Sequence, residues 1–248
     1  KSQTLLVPRR SWGFTFVIKR PEIAGNELEI PRIGGAGVKN DIAGFASVSG
    51  EKGNAAFDAD AVVNELKKRN LVKPGNRTKM VNDTFESSTG ELYMNARKKF
   101  MSVVTPNLQG ICSEAGAGID LGNLKIDEMS VKGNLSLVSV DDSKPLQTSN
   151  RMVLVFATDA LNNKMVFDEK ERLTLRDIGG GPTLVETGKF TVTVKINNAD
   201  KLKIWALDLS GNRKLEIKPS KVSAGEISFS VDTAKLPDSP SLFFELQK

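Results

Sequence analysis

The chain has 248 residues, 39% hydrophobic and 26% charged, which suits one or two folded domains and is too apolar for a disordered chain. No run approaches the roughly 18 consecutive apolar residues of a membrane helix, so no membrane span is expected. The net charge of +5 comes from 35 basic against 30 acidic side chains, in scattered clusters at Arg9-Arg10, Lys67-Lys68-Arg69 and Arg97-Lys98-Lys99. With one Tyr and two Trp available to stack on bases, these clusters read as solvated surface and nucleic acid is not expected as a partner.

Histidine is absent altogether, which removes Ser-His-Asp triads, the common zinc sites and the usual neutral-pH general base. Cys112 is the single cysteine, so no intrachain disulfide can form. In the run Leu108-Gln-Gly-Ile-Cys112 it reads as a buried, inert strand residue. The chain opens on Lys1 rather than Met, and a processed or truncated start is expected.

Along residues 1–50, apolar runs at Thr4–Val7 and Trp12–Ile18 are broken by Pro8, Pro21 and Pro31. The second run, rich in aromatic and β-branched residues, reads as a strand. Ile33-Gly-Gly-Ala-Gly37 reads as a glycine turn, because no Gly-Lys-Ser/Thr follows to make a phosphate loop. Asp58–Asn70 is the one strong helix: Asp58 can cap it, Ala59, Val62, Val63 and Leu66 recur at helical spacing, and Lys67, Lys68 and Arg69 complement its C-terminal dipole. Pro74-Gly75 stops the segment. One helix and one strand lack a second layer, so residues 1–75 are expected as an extension that packs on a neighbour.

From Lys79 onward, short apolar runs alternate with turn residues. The expected strands are Lys79–Glu86, Glu91–Asn95, Lys99–Val104, Leu108–Cys112, Gly122–Val131, Gly133–Val140, Arg151–Ala157, Met165–Phe167, Arg172–Asp177, Thr183–Glu186, Gly188–Ile196, Lys201–Asp208, Arg213–Ile217, Glu226–Val231 and Leu242–Leu246. Phe190-Thr-Val-Thr-Val-Lys-Ile196 alternates strictly, and Asp208-Leu-Ser-Gly-Asn212 is a tight turn of the hairpin kind. The expected fold is mostly β, an antiparallel sandwich or jelly-roll-like domain over 79–248, preceded by an extension over 1–75 with its helix at 58–70.

Several phrases also carry a family likeness: Ser88-Thr-Gly-Glu-Leu92, Val103-Val-Thr-Pro-Asn-Leu-Gln-Gly110, Leu137-Val-Ser-Val-Asp141 with Lys144-Pro-Leu146, Asn150-Arg-Met-Val-Leu-Val155 and Ile178-Gly-Gly-Gly-Pro-Thr-Leu-Val-Glu186. In their order and spacing they resemble the C-terminal region of large bacterial putative glycoside hydrolases, whose catalytic unit is a (β/α)8 barrel. The likeness covers about residues 80–190 and departs at Asn107-Leu108, where Arg-Thr would be expected. It implies a sandwich that follows the barrel, packs against it and helps shape its sugar cleft. The barrel needs about 250 residues of alternating strands and helices, which this chain does not offer.

Glycoside hydrolysis needs two carboxyl groups about 5 Å apart, or about 6.5–9.5 Å for inversion. Glu86 and Glu91, flanking a turn, are the least unsuitable pair, whereas Asp127 and Glu128 are strand neighbours and point apart. Asp141 and Asp142, with Asp168 and the amides Asn162 and Asn163, are candidate calcium ligands, although turn chemistry explains the same residues. Trp12 is the candidate sugar platform, while Trp205 is read in phase with Leu207 and therefore as core. These readings converge on a non-catalytic accessory domain of a carbohydrate-active, extracytoplasmic bacterial protein, with a catalytic barrel and a polysaccharide as its partners. Two alternatives stand beside it: part of a working glycoside hydrolase whose barrel lies elsewhere, and a surface adhesin or assembly subunit that accepts a donor strand.

Overall fold

The computed structural model describes strands at 7–9, 13–17, 37–41 and 45–49, and residues 59–142, 144–170, 172–238 and 240–248. The chain divides into two compact units, Lys1–Val103 and Val104–Lys248. The first unit therefore runs beyond the segment 1–75 drawn from the sequence, because it takes in a β-meander that follows the helix.

In the first unit, β1 (Val7–Arg9), β2 (Gly13–Val17), β3 (Gly37–Asp41) and β4 (Phe45–Ser49) form an antiparallel sheet in the order β1-β2-β4-β3. The strand expected around Trp12–Ile18 is β2; its neighbour β4, Phe-Ala-Ser-Val-Ser, and β3 beyond it, Gly-Val-Lys-Asn-Asp, carry too many small or polar residues to signal themselves. Helix α1 spans Ala59–Lys68, within the expected 58–70. Val63 and Leu66 of its apolar stripe are buried. Asn70 takes a left-handed φ of 55° and the Leu71 N–H donates back to the Leu66 carbonyl at 3.0 Å, closing the C-terminus as such caps do. Among the described residues no helix is long and apolar enough to cross a membrane.

The meander comprises β5 (Thr84–Glu86), β6 (Leu92–Asn95) and β7 (Phe100–Val104). The strand expected over Lys79–Glu86 is cut to its last three residues. Asp83 sits at φ 52°, and Lys79 and Thr84 exchange backbone hydrogen bonds of 3.0 and 3.2 Å, so the segment before Thr84 turns back on itself.

The second unit is an antiparallel sandwich, as expected. Its strands are β8 (Leu108–Ser113), β9 (Ile119–Asp120), β10 (Leu124–Met129), β11 (Gly133–Ser139), β12 (Arg151–Ala157), β13 (Ala160–Asn163), β14 (Val166–Phe167) and β15 (Leu175–Asp177). After them come β16 (Gly180–Val185), β17 (Lys189–Lys195), β18 (Lys203–Leu207), β19 (Arg213–Ile217), β20 (Lys221–Val222), β21 (Glu226–Asp232) and β22 (Phe243–Gln247). One sheet runs β19-β18-β22-β12-β11-β8 and the other β20-β21-β17-β10-β9. The first is called here the Trp205 sheet and the second the Thr193 sheet.

Alternation fixes what lies between them. Met152, Leu154 and Phe156 of β12 face Phe190, Val192 and Val194 of β17, and all are essentially without solvent contact. The Phe190 ring meets Phe156 and Phe244 of the Trp205 sheet at centroid distances of 4.9 and 5.2 Å, and Phe229 of its own sheet at 6.2 Å. These tilted and edge-on arrangements match the ring quadrupoles. A bulge at Asp127 lets both Ile126 and Met129 point inward although they are three residues apart.

Polar groups close one end of the sandwich. The buried Gln109 side chain on β8 accepts from the Asn123 and Leu124 N–H groups at 2.8 and 2.9 Å. The Asn123 amide donates onward to the Lys195 carbonyl and to Gln147, which reaches Asn197. On β8, Gly110 is required because an added Cβ would lie 2.3 Å from the Ser136 Cβ on the neighbouring strand.

Between β12 and β17 the chain makes a long excursion, residues 158–187, built from the ribbons β13–β16 and β14–β15. Among the described residues, none of the buried hydrophobic core falls between Phe156 and Phe190. Val166, Leu173, Leu175, Ile178 and Leu184 of this arm are exposed.

Phe190→Ala is expected to cost about 3–5 kcal/mol of unfolding free energy, because it empties the junction of both sheets. Thr191→Ala on the outer face of the same strand should stay within about 0.5 kcal/mol. Urea unfolding of the two variants measures both.

Candidate functional site

The inward alternation of Met152, Leu154 and Phe156 turns Arg151, Val153 and Val155 to the outer face of the Trp205 sheet. Antiparallel register sets Arg151 beside Gln247, Val153 beside Glu245 and Val155 beside Phe243. The next strand adds Lys203 beside Gln247 and Trp205 beside Glu245. Trp205 is thus not a core residue. It shares parity with the exposed Lys203, while Ile204 and Ala206 point inward, and a bulge after Ala206 is what brings Leu207 back to the core.

Glu245 is the centre of this face. Its side chain keeps only 5% of its exposure although it leaves the sheet on the solvent side. Arg151 donates from Nε to Oε1 at 2.6 Å and Arg213 from Nε to Oε2 at 2.7 Å. The Arg213 guanidinium also lies 3.7 Å from the Trp205 ring centroid and donates to the Gln247 side-chain oxygen. Ring, guanidinium and carboxylate therefore form one assembly, held by a cation–π contact and charge-assisted hydrogen bonds. Burial works to raise the Glu245 carboxyl, but the hydrogen bonds and charges of Arg151 and Arg213 outweigh it and hold the pKa below the ordinary glutamate value. Half-buried Val153, Val155, Phe243 and Trp205 give the surroundings an apolar floor.

The outer face of the Thr193 sheet differs in kind. Thr193 shares hydrogen bonds of 2.8 Å with Asp127 and Ser228, Thr191 pairs with Ser230, and Lys195 and Lys125 bind Asp120 and Asp127. Such a lattice of short polar side chains is a solvated surface.

The carboxylates singled out from the sequence have other engagements. Glu86 is buried and accepts from the Arg77 backbone N–H at 2.6 Å and its Nε at 2.9 Å, with the Arg77 guanidinium 4.0 Å from the Tyr93 ring centroid. Glu91, beyond the turn, accepts from Thr89 Oγ1 at 3.0 Å. Each carboxylate is thus held by its own set of neighbours.

Asp141 accepts from the Asn150 N–H and the Lys144 ammonium, both at 3.0 Å, and these lower its pKa in that order. Asp142 is exposed in the adjoining turn, and Asp168 stands on the arm with Arg176 at 3.9 Å. Among the described residues, no three His, Cys, Asp or Glu side chains gather in a metal-binding group. Trp12 lies outside the described residues.

Cys112 is exposed, not buried. Ile111 takes the inward position on β8, so its neighbour must point out. The sequence reading passed over Glu245, Arg151 and Arg213. The available signal was a lone carboxylate inside the apolar run Leu242–Leu246, a placement that in a strand demands a cationic partner.

Glu245 has a depressed folded-state pKa, so its contribution is present above the unfolded value of about 4.3 and is lost as pH falls through the folded value. Glu245→Gln should lower stability at neutral pH and flatten the acid limb of a stability–pH profile; urea midpoints across the acid range read this out. Native Cys112 should be labelled by a thiol reagent at a rate close to that of the unfolded chain, and protection until denaturant is added would contradict its placement.

No protein-family model, curated protein or solved structure matches this chain.

Proposed function

We propose that this chain is a non-catalytic β-sandwich accessory region of a carbohydrate-active, extracytoplasmic bacterial protein, with a structural or substrate-shaping role beside a (β/α)8 catalytic barrel. The observation that carries the reading is the Trp205 face, where a half-buried indole, two arginines, a carboxylate and an amide share one surface. Sugar recognition uses that combination: a flat apolar ring beside donors and acceptors that can meet hydroxyl groups. The phrases from Ser88 to Glu186 that resemble the region following a hydrolase barrel support the same reading.

Glu86 and Glu91 serve local structure in this view. The buried Glu86 carboxylate ties down the chain before β5 through both its oxygens, which gives it a structural task there.

The expected outcome is that the chain is retarded in native gels containing a polysaccharide, that Trp205→Ala removes the retardation without lowering the melting temperature by more than a few degrees, and that chromogenic glycosides are not turned over. Turnover abolished by Glu86→Gln or Glu91→Gln would overturn the non-catalytic assignment.

A further inference from the structure

The Trp205 face is not uniform in charge. At one end of it β12 begins, β18 begins and β22 finishes, so antiparallel register sets Arg151, Gln247 and Lys203 in a row across three strands. With neighbouring strands about 4.8 Å apart, the row spans roughly 10 Å. Lys201 is exposed in the short turn Ala199–Lys201 that feeds β18. Lys248 follows β22, and its backbone N–H donates to the Asn150 carbonyl at 3.0 Å, next to Arg151.

The acidic groups near this end are already engaged. Asp141 is held by Lys144 and the Asn150 N–H, and Glu245 by Arg151 and Arg213. Asp200, exposed beside Lys201, is the remaining carboxylate of the feeding turn. Among the described residues, Lys201 and Lys203 enter no ion pair. Burial first, and then the like charges of Lys201 and Lys144, lower the Lys248 pKa against the pull of Asp141. Cations are therefore crowded here beyond what the local carboxylates neutralise, and an added anion would relieve the crowding.

We infer that this end of the face, bearing Arg151 and Lys203 with Lys201 and Lys248 at its margin, docks an acidic polysaccharide, a chain carrying carboxylate or sulfate groups along its length. The inference rests on the carbohydrate reading above and names its substrate class. A row of cations across strands suits a chain of regularly spaced anionic groups, while Gln247 and the indole of Trp205 offer contacts to the uncharged parts of each sugar. A nucleic-acid single strand fits less well, because it is held by stacking successive bases on several rings and no second aromatic lies among the residues of this row.

The full 248-residue chain is run in native gels cast with polygalacturonate, dextran sulfate or neutral dextran, at low and raised salt. Retardation by both acidic polymers and not by dextran, fading with salt, is expected, and Lys201→Glu with Lys203→Glu should weaken it on the order of tenfold. Both side chains are exposed, so an unchanged melting curve confirms that the double variant is folded. No retardation by either acidic polymer, full retardation of the double variant, or an equal shift by duplex DNA or anionic lipid vesicles would overturn the inference. If neutral dextran alone retards the chain and the double variant is unaffected, the carbohydrate reading stands while this inference falls. If no polysaccharide of either kind retards it, both fall.

Discussion

The stack of Phe156, Phe190 and Phe244 is the contact on which the second unit depends. Each sheet by itself has one apolar face that water would meet, and burying such a side chain is worth roughly 1.5–3 kcal/mol. Phe190 touches both sheets' aromatic rings, so it converts two half-stable sheets into one cooperative layer pair. Everything on the outer faces inherits its position from this contact, because strand alternation leaves no freedom once one side is assigned. The Gln109–Asn123 amide seam performs the complementary task at the sandwich end, satisfying backbone donors where the two sheets part.

The two outer faces then diverge. On the Thr193 sheet, hydroxyls and paired charges keep water close, and single substitutions there should matter little. On the Trp205 sheet, a buried carboxylate sits over aliphatic side chains and depends on its two arginines for compensation. Both arginines remain substantially exposed, with 57% and 42% of their side-chain surface open. Solvent screening therefore moderates the pair, and its worth lies in orientation: it locks two guanidinium planes and one indole in fixed places on an otherwise plain sheet.

Much of this architecture was legible in the residues. Arg151–Ala157 and Arg213–Ile217 were delimited to the residue, since alternation and flanking turn residues agree there. Glu226–Val231 and Leu242–Leu246 were off by one or so at their ends. The misses have local causes. Asp83 reverses the backbone at a positive φ that a strand pattern does not reveal, and β9 and β20, two residues each, are too short to show any period. The site was less legible than the fold. Phase with Leu207 makes Trp205 read as core and apolar neighbours make Cys112 read so, whereas the bulge before Leu207, parity with Lys203 and opposition to Ile111 place them outside. The Glu245 assembly joins β12, β19 and β22, separated by 94 and 32 positions along the chain, and such a meeting exists only once strand order is known.

The arm of residues 158–187 leaves the sandwich beside Phe156 and returns beside Phe190, residues whose rings touch. Its base is already closed by Glu186 donating to the Asp159 carbonyl at 2.8 Å. The two strands it connects would be neighbours across the core whatever lay between them. A loop with adjoining ends is thermodynamically forgiving, since doubling its length costs only about 0.6 kcal/mol of closure entropy. The arm is therefore the part of this scaffold most open to replacement: lengthened, trimmed or exchanged for a foreign segment, it would leave the sheets, their register and the Trp205 face as they are.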